Sequence, residues 1–248
     1  MNALRARLRD GRLVGVIQSM PSAEVTEVLA AAGFDLVMMD LEHGSAGLRE
    51  VLHQLRALQG TGVPALVRVP SKDPSFANRL QDAGVDNLLF PAVESAAEAQ
   101  AIVRACRYPP LGTRGAGGGL RASRYDHDPD YYARAAERTL VAVQIETALG
   151  VACASAICTV EGIDLVVIGP RDLSASIGKL GRFDDPQVMR LYEQAEYAIG
   201  SSGVPMASTL YPGRTVAQMF ARGHGLLLAA TDVGLLGRAA REVVGTAR

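Results

Sequence analysis

Short apolar runs recur along the chain behind the same punctuation. GFDLVMMD from Gly33, GVDNLLFP from Gly84 and GIDLVVIG from Gly162 each place a glycine, an aspartate and then four or more apolar or amide residues, and GHGLLLAA from Gly223 is a weaker fourth copy. Glycine just past a helix suits a left-handed C-cap, and an uninterrupted apolar run after it suits a strand buried on both faces. LVGVIQS (13–19), VPALVRV (63–69), LVAVQIE (140–146) and VPMAST (204–209) bring the strands to eight. Helical spacing fills the gaps. Ser22 precedes Val25, Val28, Leu29 and Ala32, Asp73–Pro74 reads as a cap followed by a first-turn proline, and Ser95 with Glu98 reads as a capping box.

Eight strands alternating with helices predict a parallel sheet. No GxGxxG follows the first strand, and 248 residues match a closed (β/α)8 TIM barrel better than an open doubly wound sheet, so one barrel domain over 1–248 is expected. The long interruption at 109–132, PPLGTRGAGGGLRASRYDHDPDYY, reads as a lid or subunit contact over the site, or else as a mobile insertion.

The chain is 48% hydrophobic and 21% charged, yet no apolar run reaches the roughly 20 residues a membrane span needs. The charged first twelve residues contain no signal-like apolar core, which makes cytoplasm the expected compartment. Cys106, Cys153 and Cys158 are odd in number and unclustered, as expected of reduced core thiols. A net charge of −1 with both signs interspersed gives no basic stripe for nucleic acid or an anionic membrane and points to a small-molecule partner.

In a barrel the chemistry lies where strands end. Strand two ends in Asp40, Glu42 and His43, strand three carries Arg68, strand five ends in Gln144 and Glu146, and strand six runs through Gly169 and Pro170 to Asp172. Gln144 and Glu146 share a strand face, and a carboxylate aimed into an apolar barrel needs a cation. Asp172 on the neighbouring strand end supplies a second carboxylate, suited to a hard divalent ion, although the same residue also fits the cap of the next helix. Arg68 alternates with Val67 and Val69, so its guanidinium faces the other way and is available to a carboxylate or enolate oxygen or to a structural pair with Glu42. His43 sits among acids and reads as a proton shuttle, a role that suits imidazoles in general, while His53, His127 and His224 read as surface or packing residues. Schiff-base chemistry needs a desolvated lysine, and the two lysines, Lys72 and Lys179, lie in polar loops, which favours a metal as electron sink.

The segments GFDLVMMDLEHG, VRVP, RYPPLGTRG, RASRY, VQIET and IGPRDLS, in this order and spanning residues 13 to 245, resemble the HpcH/HpaI family of class II pyruvate aldolases. The resemblance implies a phosphoenolpyruvate/pyruvate-type barrel, assembled as a hexamer, that uses Mg²⁺, Mn²⁺ or Co²⁺ to cleave 4-hydroxy-2-oxo acids to pyruvate and an aldehyde. It further implies metal binding by Glu146 and Asp172, a histidine base at His43, enolate stabilisation by Arg68, and substrate contacts at Gln144, Gly169, Asp172 and the backbone of Arg171. The family's histidine-activating aspartate falls on Asp82 in LQDAG, with Asp40 as the competing choice. The chain departs from the family in lacking a first-strand tryptophan, in a glycine-rich stretch AGGGLRAS one residue shorter, in polar Ser208 and Thr209 where an apolar residue often faces the aldehyde, and in LAATD where a glycine usually precedes the aspartate. Two rivals are an acyl-coenzyme A thioester lyase on a related barrel, for which no adenine-nucleotide site is visible, and a non-catalytic oxo-acid-binding barrel, which would not need His43.

Overall fold

The structure, a computed structural model, describes residues 2–246. Eight parallel strands close on themselves in sequence order: β1 (Leu13–Gln18), β2 (Leu36–Asp40), β3 (Ala65–Arg68), β4 (Asn87–Phe90), β5 (Leu140–Ile145), β6 (Leu165–Ile168), β7 (Met206–Thr209) and β8 (His224–Thr231). The helices up to β5 are α1 (Ala3–Asp10), α2 (Ala23–Ala31), α3 (Leu48–Ala57), α4 (Pro74–Asp82), α5 (Ala96–Ala105) and α6 (Tyr131–Arg138). Beyond it come α7 (Ala148–Ala152), α8 (Ala154–Cys158), α9 (Pro170–Ser176), α10 (Pro186–Gly200), α11 (Val216–Ala221) and α12 (Asp232–Thr246). No helix among the described residues is long and apolar enough to cross a membrane.

Strand parity divides the core into two layers. Leu13, Leu36, Leu66, Leu89, Leu140, Leu165 and Leu226 fill the barrel, and Leu4 and Leu8 of α1 plug its amino-terminal end. Val37, Val67, Val69, Phe90, Val143 and Ile168 face the helices. Two of the three aspartates of the recurring punctuation have a local cause: Asp35 Oδ2 accepts from Val14 N and Asp164 Oδ2 from Val141 N, both at 2.9 Å, so each ties the start of its strand to a neighbour. Arg7 and Arg5 of α1 pair with the same two carboxylates.

Caps follow the sequence at Ser22, whose side chain accepts from Val25 N, and at Asp73, which accepts from Ser75 N with Pro74 in the first turn. Ser95 accepts from Glu98 N, but the reciprocal bond expected of Glu98 goes instead to Glu94 N and Lys72 Nζ. The loop at 109–132 follows α5 and leads through α6 into β5, so it lies at the amino-terminal end of the barrel. It is tied there by Arg121 to Ala83 O at 2.7 Å and by Arg114 to Asp82 at 2.6 Å, and within one chain it is no lid over the carboxyl end.

His224, expected at a turn, opens β8 and is buried. Its Nε2 lies 2.9 Å from Glu196 Oε1, and Glu196 also takes Arg214 and Arg222. Arg214 stacks on Tyr192 and Tyr211. Tyr192 donates to Ser208 Oγ at 2.7 Å and Ser208 donates to Ile168 O at 3.2 Å, so this network reaches the residue before Gly169.

Burial opposes ionisation of Glu196, but the bonds from His224 and Arg222 and the charge of Arg214 outweigh it and hold the carboxyl below its usual range. A depressed carboxyl contributes stability that is present above its unfolded pKa of about 4.3 and is lost as pH falls through the folded value. Glu196→Gln leaves the clustered arginines only the outer carboxylate of Glu193, 3.4 Å from Arg214 and 3.7 Å from Arg222, and is expected to cost about 3 kcal/mol, the low end of the scale for a broken buried ion pair. Thermal melts of variant and parent from pH 7 down to pH 3 should converge as the carboxyl protonates; an unchanged gap at low pH would show that charge is not the cause.

Candidate active site

The carboxyl ends of β2, β3, β5 and β6 meet at one mouth. Asp40 and Arg68 are register partners on β2 and β3, and they form a two-pronged pair, Nε to Oδ1 at 2.9 Å and Nη2 to Oδ2 at 2.7 Å. Burial by itself would raise the Asp40 carboxyl; the Arg68 hydrogen bonds and charge, with the amides of His43 and Glu42, pull it below the ordinary value. Val67 and Val69 pack among the helices while Arg68 turns inward, as their alternation predicts. The third guanidinium nitrogen, Nη1, lies 3.0 Å from Glu42 Oε2.

The turn after β2 can fold this way because residue 44 is glycine. A Cβ there would stand 2.1 Å from Asp40 O and 3.1 Å from Ser19 O, so no other residue allows the chain to double back so closely. The turn leaves the His43 ring 61% exposed, with Nε2 3.8 Å from Glu42 Oε2. Asp40 touches the His43 amide at 3.3 Å and not its ring.

Glu146 follows β5 and is 3% exposed. Oε1 accepts from Ala92 N at 2.7 Å and Oε2 from Gln144 Nε2, both neutral donors. Burial, then the negative charges of Glu42 and Asp172, push its pKa up to about 7. Ala92 adopts φ +52 to deliver that amide, a left-handed conformation disfavoured for a residue with a Cβ, and its carbonyl takes Lys72 Nζ at 3.1 Å. Nothing in the sequence marks Ala92 except its place after a strand and a proline.

Gly169 passes directly over this pair: a Cβ there would sit 2.7 Å from both Gln144 Nε2 and Glu146 Oε2. It is also the N-cap of α9 without a side-chain bond, so Asp172, half-buried in the first turn, is not spent on capping. Arg171 is exposed beside it. Of the two polar residues ending β7, Ser208 turns to the helices and its Tyr192 partner, whereas Thr209 shares the parity of inward Ala207. Asp232, after β8, accepts from Ser19 N and Met20 N and so fastens the first loop of the mouth.

Asp82 is not brought to this mouth. It ends α4 at the opposite end of the barrel, where Arg114, 1% exposed, holds its carboxylate. The lysines are also occupied, Lys72 by Glu98 at 2.8 Å and Lys179 by Asp185 at 2.7 Å. The three cysteines are free thiols.

Residues 16–236 match the family model described as HpcH/HpaI aldolase/citrate lyase. The chain is 38% identical to a hydroxypyruvate/pyruvate aldolase of Pseudomonas aeruginosa, over 99% of this chain and 92% of that one. It is also 38% identical to a 4-hydroxy-2-oxo-heptane-1,7-dioate aldolase of Escherichia coli, over 98% and 93%. The crystal structure of an HpcH/HpaI aldolase/citrate lyase family protein from Burkholderia cenocepacia J2315 superposes with a TM-score of 0.94 at 35% identity, covering all of both chains. With a closed barrel, a mouth built from the ends of four strands and near full-length identity to named aldolases, the chain belongs to the HpcH/HpaI aldolase/citrate lyase family.

Proposed function

We propose that this chain is a divalent-cation-dependent aldolase that cleaves 4-hydroxy-2-oxo acids to pyruvate and an aldehyde, and joins the two in reverse. The observation that carries the reading is Glu146: a carboxylate buried among neutral donors, with Asp172 and Glu42 adding like charge, and therefore short of a cation. The donor set fits Mg²⁺, Mn²⁺ or Co²⁺, since hard oxygens from Glu146 and Asp172 leave positions open for substrate and water. The missing Cβ of Gly169 keeps space open against Glu146 Oε2. When bound, such a cation supplies an electron sink for the enolate of the 2-oxo acid.

The chain's own groups do the rest. Gln144 fixes the Glu146 carboxylate, and the Gly169–Asp172 turn borders the substrate. His43, free to exchange protons with solvent, takes the proton of the 4-hydroxyl. As the bond between carbons three and four breaks, its electron pair becomes the enolate, whose charge Arg68 stabilises from a position that Asp40 has fixed in advance. Protonation of carbon three then releases pyruvate. Similarity to a hydroxypyruvate/pyruvate aldolase and to a 4-hydroxy-2-oxo-heptane-1,7-dioate aldolase supports oxo acids with a pyruvate half and a variable aldehyde half.

His43→Ala is expected to lower kcat by about 10²–10⁴-fold, with stability changed by less than about 0.5 kcal/mol because the ring is exposed. Pyruvate release from a panel of 4-hydroxy-2-oxo acids, read with and without chelator, checks this; full turnover in the variant or in the chelated protein removes the reading. Borohydride is expected to trap no substrate at Lys72 or Lys179. Gly169→Ala is expected to push Gln144 and Glu146 out of place, raising the KM for the oxo acid and lowering the melting temperature together, because its Cβ would stand 2.7–2.8 Å from both buried side chains; an unchanged KM in the folded variant would show that this approach is not used.

Asp82 serves His43, on this reading, only from a second copy of the chain, in keeping with a homo-oligomer. Mixed oligomers refolded from His43→Ala and Asp82→Asn chains should then recover activity that neither parent has. No recovery, or a fully active Asp82→Asn, would assign Asp82 to the Arg114 pair alone.

A further inference from the structure

Glu42 is the one carboxylate of the mouth that the mechanism leaves without a task. Its side chain is 21% exposed, and Oε2 is turned inward, 3.0 Å from Arg68 Nη1 and 3.8 Å from His43 Nε2. That oxygen is sealed from solvent, yet it accepts no hydrogen bond. Arg68 Nη1 faces it as an ion pair, while the hydrogen bonds of that guanidinium, from Nε and Nη2, go to Asp40. Asp40, Glu42 and Glu146 thus crowd one guanidinium. Glu42 feels the charge of Asp172, and Glu146 feels that of Glu42.

We infer that Glu42 is an outer carboxylate of the cation site, acting through the ion's hydration water and raising its affinity; this rests on the metal-dependent reading above. Glu42 Oε2 already faces Arg68 Nη1 at 3.0 Å, which assigns it to the water around the ion and not to direct ligation. Hard dications such as Mg²⁺ and Mn²⁺ keep several waters, and side chains that orient the surrounding shell are worth about 10–100-fold in affinity. Asp40 is unsuited to this role, since Arg68 and two backbone amides consume it. A purely structural Glu42, present only to steady Arg68, makes the opposite prediction: the affinity for the ion alone would not depend on its charge.

Calorimetric titration of Mn²⁺ alone into the full chain, with no oxo acid present, separates the outcomes. Wild type should bind and Glu146→Gln should not. Glu42→Gln keeps the shape and removes the charge, and its Mn²⁺ Kd should rise about tenfold or more; Glu42→Asp, which keeps the charge one methylene back, should fall between it and the parent. Thermal melting confirms that each variant is folded, and the aspartate variant carries the test if the glutamine variant is not. Binding by Glu42→Gln within twofold of wild type, while Glu146→Gln loses the ion, overturns this inference and leaves the metal-dependent reading intact. Failure of wild type itself to bind Mn²⁺ overturns both.

Discussion

Like charge held out of water at the carboxyl end of the barrel is the constraint on which the rest of the site depends. Asp40, Glu42, Glu146 and Asp172 gather where four strands end, and one guanidinium, Arg68, reaches into them. A carboxylate in such a place either protonates or is neutralised by a cation, and Glu146, with its pKa near 7, stands at that balance. The apolar layers beneath make this tolerable: Leu4 and Leu8 close the far end beside the Asn2–Asn87 amide pair, the leucines of alternate strands fill the middle, and the charged side chains stand at the last inward positions. The charged layer is thus confined to the one place where substrate and solvent can reach it.

Backbone geometry, more than side-chain contact, fixes that layer. The turns at Gly44 and Gly169 bring main chain within a distance that no Cβ allows, and Ala92 accepts an unfavourable φ to aim its amide at Glu146. The Tyr192–Ser208–Ile168 chain of hydrogen bonds braces β6 just before the turn that carries Asp172, and Asp232 pins the loop after β1. These supports come from strands on opposite sides of the barrel, so the site's precision is a property of closure and not of any one segment.

Much of this was legible along the chain because a doubly buried parallel strand must be apolar throughout. All eight strands follow from that rule, and the Val67–Arg68–Val69 alternation correctly separates packing from chemistry. Legibility failed where a residue's meaning depends on a neighbour distant in sequence. Asp172 could be read as the cap of the following helix until Gly169 proved to be the N-cap. His224 could be read only as a surface or packing residue, because nothing nearby announces its partner Glu196, which is 28 positions away. The loop at 109–132 and Asp82 looked like parts of the mouth because length and motif carry no direction, whereas the helix preceding each runs antiparallel to its strand and delivers both to the other end. Ser208 and Thr209 differ only by parity, and that parity puts the threonine, not the serine, on the inner face.

The two halves of the proposed chemistry occupy different media, and each needs the one it has. Electrostatic stabilisation of an enolate gains from a dry surrounding, where charge is weakly screened, and Arg68, Gln144 and Glu146 are all buried. A base that must lose its proton on every turnover gains from water, and His43 is mostly exposed. Glu42 stands at the boundary, with one oxygen sealed between Arg68 and His43 and the remainder of the side chain partly open, so the wet and dry halves meet at a single carboxylate. On the solvent side the mouth is bordered by exposed Arg171 and half-buried Thr209, while the pyruvate side is fixed by the strands. On the proposed chemistry, a barrel arranged in this way would hold one end of its substrate among buried strand-end residues and leave the other to rim residues that lie outside the core.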